Sequence, residues 1–185
     1  IDYPFHPEQQ VRYYYGDAQA DSNRVGRIWL MEDGSGAREL WYDALGQVTK
    51  EVRTLLLNDI RTPTFVTTWR YDSWGRLLGL QYPDGETVTY TYEPGGRVQA
   101  LSGQKGSHEY TYLQEAAYHP RGQLLRMSYG NGIRQDFRPD PATNLFATLA
   151  LKSGGSNLLA EAYTYDTLGR LIQTAATRDS SRIEE

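Results

Sequence analysis

A tyrosine stands four residues before a glycine five times in this chain: Tyr42–Gly46, Tyr71–Gly75, Tyr92–Gly96, Tyr118–Gly122 and Tyr165–Gly169. Scattering 18 glycines and 15 tyrosines at random over 185 residues would produce about 1.5 such pairs. Each pair continues with a long polar residue (Gln47, Arg76, Arg97, Gln123, Arg170) and then an aliphatic one (Val48, Leu77, Val98, Leu124, Leu171). A catalytic site needs a residue once, whereas a recurring spacing records architecture.

The glycines lie 29, 21, 26 and 47 residues apart. The last interval holds about two units, and "FRPDPATNLFAT" (137–148) reads as a worn copy inside it. Phe137 is expected to stand for Tyr there and Asn144 for Gly, because asparagine tolerates positive φ better than most residues. "SNRVGRIWL" (22–30) reads as another, with Gly26-Arg27-Ile28 but no tyrosine four places back.

Turn chemistry explains the residue types. In "YDSWGRL" Asp72 takes the first and Gly75 the fourth position of a four-residue turn, the preference of type I. The carboxylate accepts a backbone N–H two residues on, and glycine enters the left-handed region that leads into a bulge. Asp43 and Asp166 fit the same role; Glu93 and His119 replace it less well. A second kind of turn falls between these, at "YPDGE" (82–86), "YGNGI" (129–133) and "MEDGSG" (31–36), where Asp-Gly and Asn-Gly are hairpin signals.

The segments between turns alternate. In "ETVTYTY" Val88, Tyr90 and Tyr92 share one face and Thr87, Thr89 and Thr91 the other. Strands are predicted at 77–82 and 86–92, and "EYTYL" (109–113) and "AYTYD" (162–166) repeat the pattern. Gly85, Pro94, Gly95 and Gly96 break any helical period over 85–101. An isolated hairpin is marginal in water, so each unit has to pair with its neighbours. The expected fold is all-β, a strand-turn-strand ribbon forming one long antiparallel sheet.

Composition narrows the function. The 19 basic and 23 acidic residues give a formal charge of −4, and the basic ones are dispersed, which argues against a nucleic-acid surface. No apolar run is long enough for a transmembrane helix, and without cysteine neither disulfides nor thiolate metal sites arise. The length suffices for one domain with a sizeable core. The chain begins at Ile1 without a basic-then-apolar leader, and "TRDSSRIEE" (177–185) lacks apolar periodicity. Residues 1–176 are therefore expected to be the repeat segment, 177–185 a frayed end, and the whole a piece of a longer chain.

The heptads "YDSWGRL" (71–77) and "YDTLGRL" (165–171), the near match "YDALGQV" (42–48) and the second turn "YGNGI" resemble the RHS or YD-repeat family. "YEPGGRV" (92–98) and "YHPRGQL" (118–124) depart at the Asp position. The likeness covers roughly residues 12–175. It implies a ribbon that spirals into a hollow shell, which in bacterial members encloses a toxic C-terminal polypeptide. Similar shells occur in insecticidal toxin complexes and exported toxins, and animal teneurins carry a related barrel used in adhesion. The resemblance implies partners in the remaining repeats of a parent chain and an enclosed toxin, and a secreted or exported parent. Bacterial members often end the shell with a self-cleaving aspartyl protease segment, for which no equivalent stands here.

The site residues are therefore structural. Tyr42, Asp43, Gly46, Tyr71, Asp72, Gly75, Arg76, Tyr92, Gly96, Arg97, Tyr118, Gly122, Tyr165, Asp166, Gly169 and Arg170 are expected to shape repeat turns, with no catalytic residue, cofactor or metal ligand. A carboxylate pair of the glycosidase kind is the competing reading of the aspartates, but turn chemistry accounts for their repetition. His6, His108 and His119 lack metal-ligand spacing, and "SGGSN" (153–157) lacks the ending of a phosphate loop. A second functional reading is an adhesive or carbohydrate-binding surface for a glycan. Trp29, Trp41, Trp69 and Trp74 are its candidates, with Trp74 at a turn tip and packing as the simpler role for the others.

Overall fold

The computed structural model describes residues 10–57 and 62–178. Among these residues there are fourteen strands and no helix. They are β1 (Arg12–Tyr15), β2 (Ile28–Asp33), β3 (Gly36–Tyr42), β4 (Val48–Leu55), β5 (Thr64–Tyr71), β6 (Leu77–Gln81), β7 (Thr87–Tyr92), β8 (Val98–Lys105), β9 (His108–Tyr118), β10 (Leu124–Tyr129), β11 (Ile133–Pro139), β12 (Phe146–Ser153), β13 (Ser156–Tyr165) and β14 (Leu171–Arg178). Sheet order follows sequence order from β1 to β14. Pairing is antiparallel throughout the registers of β1–β2, β3–β4, β8–β9 and β13–β14. The all-β meandering ribbon expected from the repeat is what forms.

Two connection types alternate because they have different backbone demands. One is the tight hairpin. Asp33 pairs with Gly36, Lys105 with His108 and Ser153 with Ser156, leaving two residues at each tip. At 153–156 both tip residues are glycines at positive φ, 56° for Gly154 and 85° for Gly155, the requirement of a primed turn that follows sheet twist. "SGGSN" is thus a hairpin joining β12 to β13. The Asp-Gly turn after β6 is longer and closes like the repeat turns, Tyr82 N–H reaching the Glu86 carbonyl at 2.8 Å and Gly85 N–H the Tyr82 carbonyl at 3.0 Å. The strands accordingly stop at Gln81 and resume at Thr87, one residue short of expectation on each side.

The chain divides into two compact units, Ile1–Thr89 and Tyr90–Glu185, with the division inside β7. Neither unit has a deep core. Val88 in the first and Leu113 and Ala116 in the second are the buried hydrophobic residues among those described, and no large side chain is completely enclosed. This departs from the sizeable core that the length suggested. The extensive contacts run between strands adjacent in sequence, so apolar side chains meet along a face, across strands. Val52 opposite Val66, Leu80 opposite Val88 and Leu151 opposite Leu159 are such pairs, each contributing roughly 0.2–1 kcal/mol. Strand pairing also reaches past the expected boundary at 176, with Thr177 opposite Ala160 and Arg178 opposite Leu159. The rest of the expected frayed end lies outside the described residues.

Candidate functional site

The second connection type is the repeat turn. In each of the five copies the turn's first residue bonds twice to its far side. Asp72 N–H donates to the Arg76 carbonyl and Gly75 N–H to the Asp72 carbonyl, both at 3.0 Å. The same two bonds close the turns at Asp43, Glu93, His119 and Asp166. The turn glycines sit at positive φ, 85° at Gly46, 78° at Gly75, 84° at Gly96, 95° at Gly122 and 77° at Gly169, where a Cβ is strained. Strand register slips just before each tyrosine of the pairs Tyr42–Val48, Tyr71–Leu77 and Tyr165–Leu171, the bulge that the left-handed glycine produces.

Two worn copies take the same place. At the first, Tyr15 opposes Ile28 after the same slip, and Gly16 N–H reaches the Arg27 carbonyl at 3.0 Å. Gly26-Arg27-Ile28 therefore closes a repeat turn whose loop is enlarged, and its tyrosine is Tyr15, displaced from the fourth position back by the inserted residues. At the second, Asn144 occupies the glycine position at φ 60°. The tyrosine position is filled by Pro139, which opposes Phe146; Phe137 pairs with Leu149 inside the strand. The assignment of Phe137 is thus corrected. This turn is one residue longer, with Asp140 N–H bonded to the Leu145 carbonyl at 2.7 Å and Asn144 N–H to the Asp140 carbonyl at 2.8 Å.

The carboxylates are absorbed by the turns. One oxygen of Asp72 accepts the N–H groups of Trp74 and Arg76 at 2.9 Å, and the other accepts Arg76 Nε at 2.7 Å. Asp166 repeats this with Leu168 and Arg170, whereas Glu93 accepts the Gly95 N–H on one oxygen and both the Arg97 N–H and Nε on the other. Bonding to the ionised form lowers these groups' pKa. The Arg97 side chain foremost, then the Gly95 N–H, holds Glu93 down to about 2. Asp72 and Asp166 are lowered chiefly by the backbone N–H of Arg76 and Arg170. These acids stay ionised, which suits a turn and opposes general-acid chemistry.

Successive turns also grip one another, which the sequence did not announce. In the second unit, Tyr118 donates its hydroxyl to the Val98 carbonyl of the preceding turn at 2.7 Å, and the Arg97 guanidinium lies 4.9 Å from the Tyr118 ring centroid. In the first unit, Tyr42 donates to the Ile28 carbonyl, and Arg27 lies 5.7 Å from the Tyr42 ring. Desolvation, the largest cause, raises the pKa of Tyr42 and keeps its hydroxyl a donor. Where glutamine follows the glycine, the amide reaches the next turn's backbone: Gln47 Nε2 to the Gly75 carbonyl at 3.2 Å, Gln123 Nε2 to the Asn144 carbonyl at 2.6 Å. A phenylalanine at Tyr42 or Tyr118 would offer the ring without this hydroxyl.

Residues 71–107, spanning two of these turns and the hairpin between them, match the model of the RHS repeat. That stretch is similar to one RHS repeat. No curated protein matches the sequence. Among solved structures, the crystal structure of TcdB2-TccC3 is similar with a TM-score of 0.82 at 20% identity, covering 93% of this chain and 9% of that one. The crystal structure of TcdB2-TccC3-Cdc42 and a structure of the Photorhabdus luminescens Tc holotoxin pore bearing a TccC3 mutation each give 0.81 at 20%, again over 93% and 9%. At this identity the likeness establishes the fold. The chain spans about a tenth of the length of those it matches.

The other candidates fall around the repeat turns. His119 takes the turn's first position, and its Nδ1 accepts the Arg121 N–H at 3.2 Å; His108 opens β9, and His6 lies outside the described residues. Trp74 is 75% exposed at its turn tip, but the Arg76 guanidinium sits 4.6 Å from its ring centroid, over a face that a sugar would use. Trp41 is bracketed by Arg24 at 4.3 Å and Lys50 at 4.5 Å, and Trp29 packs on Tyr14 with centroids 6.4 Å apart. Trp69 lies opposite Leu80 in the sheet.

Proposed function

We propose that this chain is a stretch of wall in an RHS-repeat shell, part of an exported bacterial toxin whose C-terminal effector polypeptide the shell encloses. The observation that carries this reading is the turn-to-turn contact, of which Arg97 and Tyr118 are the clearest pair. A ribbon whose strands and turns make their contacts chiefly with immediate neighbours extends by adding copies, without a central core. That is how a wall can grow around a space. The likeness to TcdB2-TccC3 structures over nearly the whole chain supports the same reading.

The mechanism is exclusion. Neighbouring strands pair along most of their length among the described residues, so a wall of such strands keeps an enclosed polypeptide from the producing cell until delivery. The other repeats of the parent chain and the enclosed polypeptide are the partners, and no residue of this segment acts as a catalyst. Limited proteolysis of the parent protein tests the reading. The C-terminal polypeptide should resist cleavage while the wall is intact and become sensitive when Gly75 and Gly122 are both replaced by valine. Equal rates of digestion would sink confinement. Hydrolase activity in the purified chain, abolished by replacing a single acidic residue, would sink the non-catalytic reading.

A further inference from the structure

The residue after each turn glycine reaches forward in every copy that can be followed within a unit: Arg27, Gln47, Arg97 and Gln123 all touch the next turn. After Asn144 that position is Leu145, whose Cδ1 lies 3.6 Å from where a Cβ on Gly169 would sit. A leucine offers no donor and no cation. Beside it lies a cleft of about 540 Å³, lined among others by Asp140, Leu145, Ala147, Tyr163, Tyr165 and Asp166.

The lining of this cleft includes what an arginine would have engaged. In the copy at 92–98, Arg97 spans from its own turn's carboxylate, Nε to Glu93 at 2.7 Å, to the tyrosine ring of the next turn. The corresponding groups here are Asp140 and Tyr165. Asp140 uses only Oδ1 within its turn, accepting from Ala142, Thr143 N–H and Thr143 Oγ1 at 2.8–3.1 Å. Its Oδ2 has no partner among the described residues, whereas the matching oxygens of Asp72 and Asp166 each hold an arginine Nε. Nor does any described cation lie over the Tyr165 ring. Asp166, the other carboxylate of the cleft, is already paired with Arg170 at 2.7 Å, so the cleft has one uncompensated negative charge.

We propose that this cleft is a seat for the arginine side chain of a partner polypeptide, its guanidinium bonded to Asp140 Oδ2 and stacked on Tyr165. Arginine fits where lysine does not, because one planar group must donate to the carboxylate edge-on and cover the ring face-on. Leu145, Ala147 and Tyr163 supply apolar contact for the residues flanking it, which favours a peptide over a free guanidine. The seat does not depend on the shell reading, since it needs only the turn geometry of this chain.

The test uses the full chain, titrated with acetyl-Gly-Arg-Leu-amide and followed by the amide resonances of Thr167 and Gly169. Saturable shifts are expected, with the citrulline version of the peptide binding about tenfold more weakly. Asp140→Asn, which keeps an amide oxygen for the turn's N–H donors, should weaken the arginine peptide by a similar factor without changing the far-ultraviolet spectrum. Leu145→Arg should fill the seat from within, abolishing peptide binding and raising the melting temperature. The proposal is overturned if the peptide produces no shifts, if citrulline binds as well as arginine, or if binding survives Leu145→Arg undiminished. Free arginine amide binding as tightly as the peptide would overturn the polypeptide as occupant.

Discussion

The Tyr118 hydroxyl donates to the Val98 carbonyl at 2.7 Å, joining successive turns through residues twenty positions apart in the chain. A half-buried bond of this kind contributes about 1 kcal/mol. Tyr118→Phe keeps the ring beneath Arg97 and removes only the donor, so denaturant unfolding should show a loss near that figure. Tyr165→Phe is the matched control, because its hydroxyl has no partner among the described residues; its loss should be smaller. Equal losses at both positions would mean that the tether contributes nothing.

Gly75 stands at φ 78°, and a Cβ there would lie 3.0 Å from Gln47 Nε2. The flexible amide can move, but the backbone cannot relax without breaking the turn's two bonds. Gly75→Val is therefore expected to destabilise the chain by roughly 2 kcal/mol through strain alone. An unchanged unfolding midpoint would show that the turn adopts another conformation.

Gly130 poses a different constraint. A Cβ on it would overlap the Thr111 carbonyl oxygen of the adjacent strand, where only a backbone shift gives relief. At Gly85, like Gly130 in a turn between two repeat turns, a Cβ would meet nothing within 4 Å. Gly130→Ala should therefore destabilise more than Gly85→Ala, despite the positive φ of the latter. The two variants compared by thermal melting decide the order.

Glu93 has a folded-state pKa of about 2, below its ordinary 4.5, held there first by the Arg97 side chain. A depressed folded value means that the contribution to stability is present above the unfolded pKa. It is lost as pH falls through the folded one, so the window runs from about 4.5 down to about 2. Glu93→Gln should flatten the decline of melting temperature over that window while leaving the neutral-pH profile shape alone. An acid profile superimposable on that of the unmodified chain would show that the Glu93–Arg97 pair does not couple to folding.

Much of the fold was legible because its punctuation is local. Asp72 and Gly75 act within one turn, through bonds and a φ value that their own side chains dictate, so the quoted heptad suffices to place them. Alternation in "ETVTYTY" likewise needs no distant partner. The worn copies were only half legible for the same reason inverted. Asn144 betrays its positive φ by residue type, but the extra residue in its turn moves the tyrosine position to Pro139, and spacing alone pointed to Phe137. Tyr15 was hidden because the inserted loop after it carries no repeat signal of its own.

The recurrence of tyrosine, glycine and acid in the chain determined by itself that it would bend at those glycines and run as antiparallel strands between them, since turn geometry depends on neighbours in sequence. Only the tertiary structure decided that Arg97 covers Tyr118, that Gln47 reaches Gly75, and that Leu145 leaves Asp140 and Tyr165 without a guanidinium between them. Those contacts depend on the lengths and registers of the intervening strands, which bring one turn beside the next, and no single heptad contains that information.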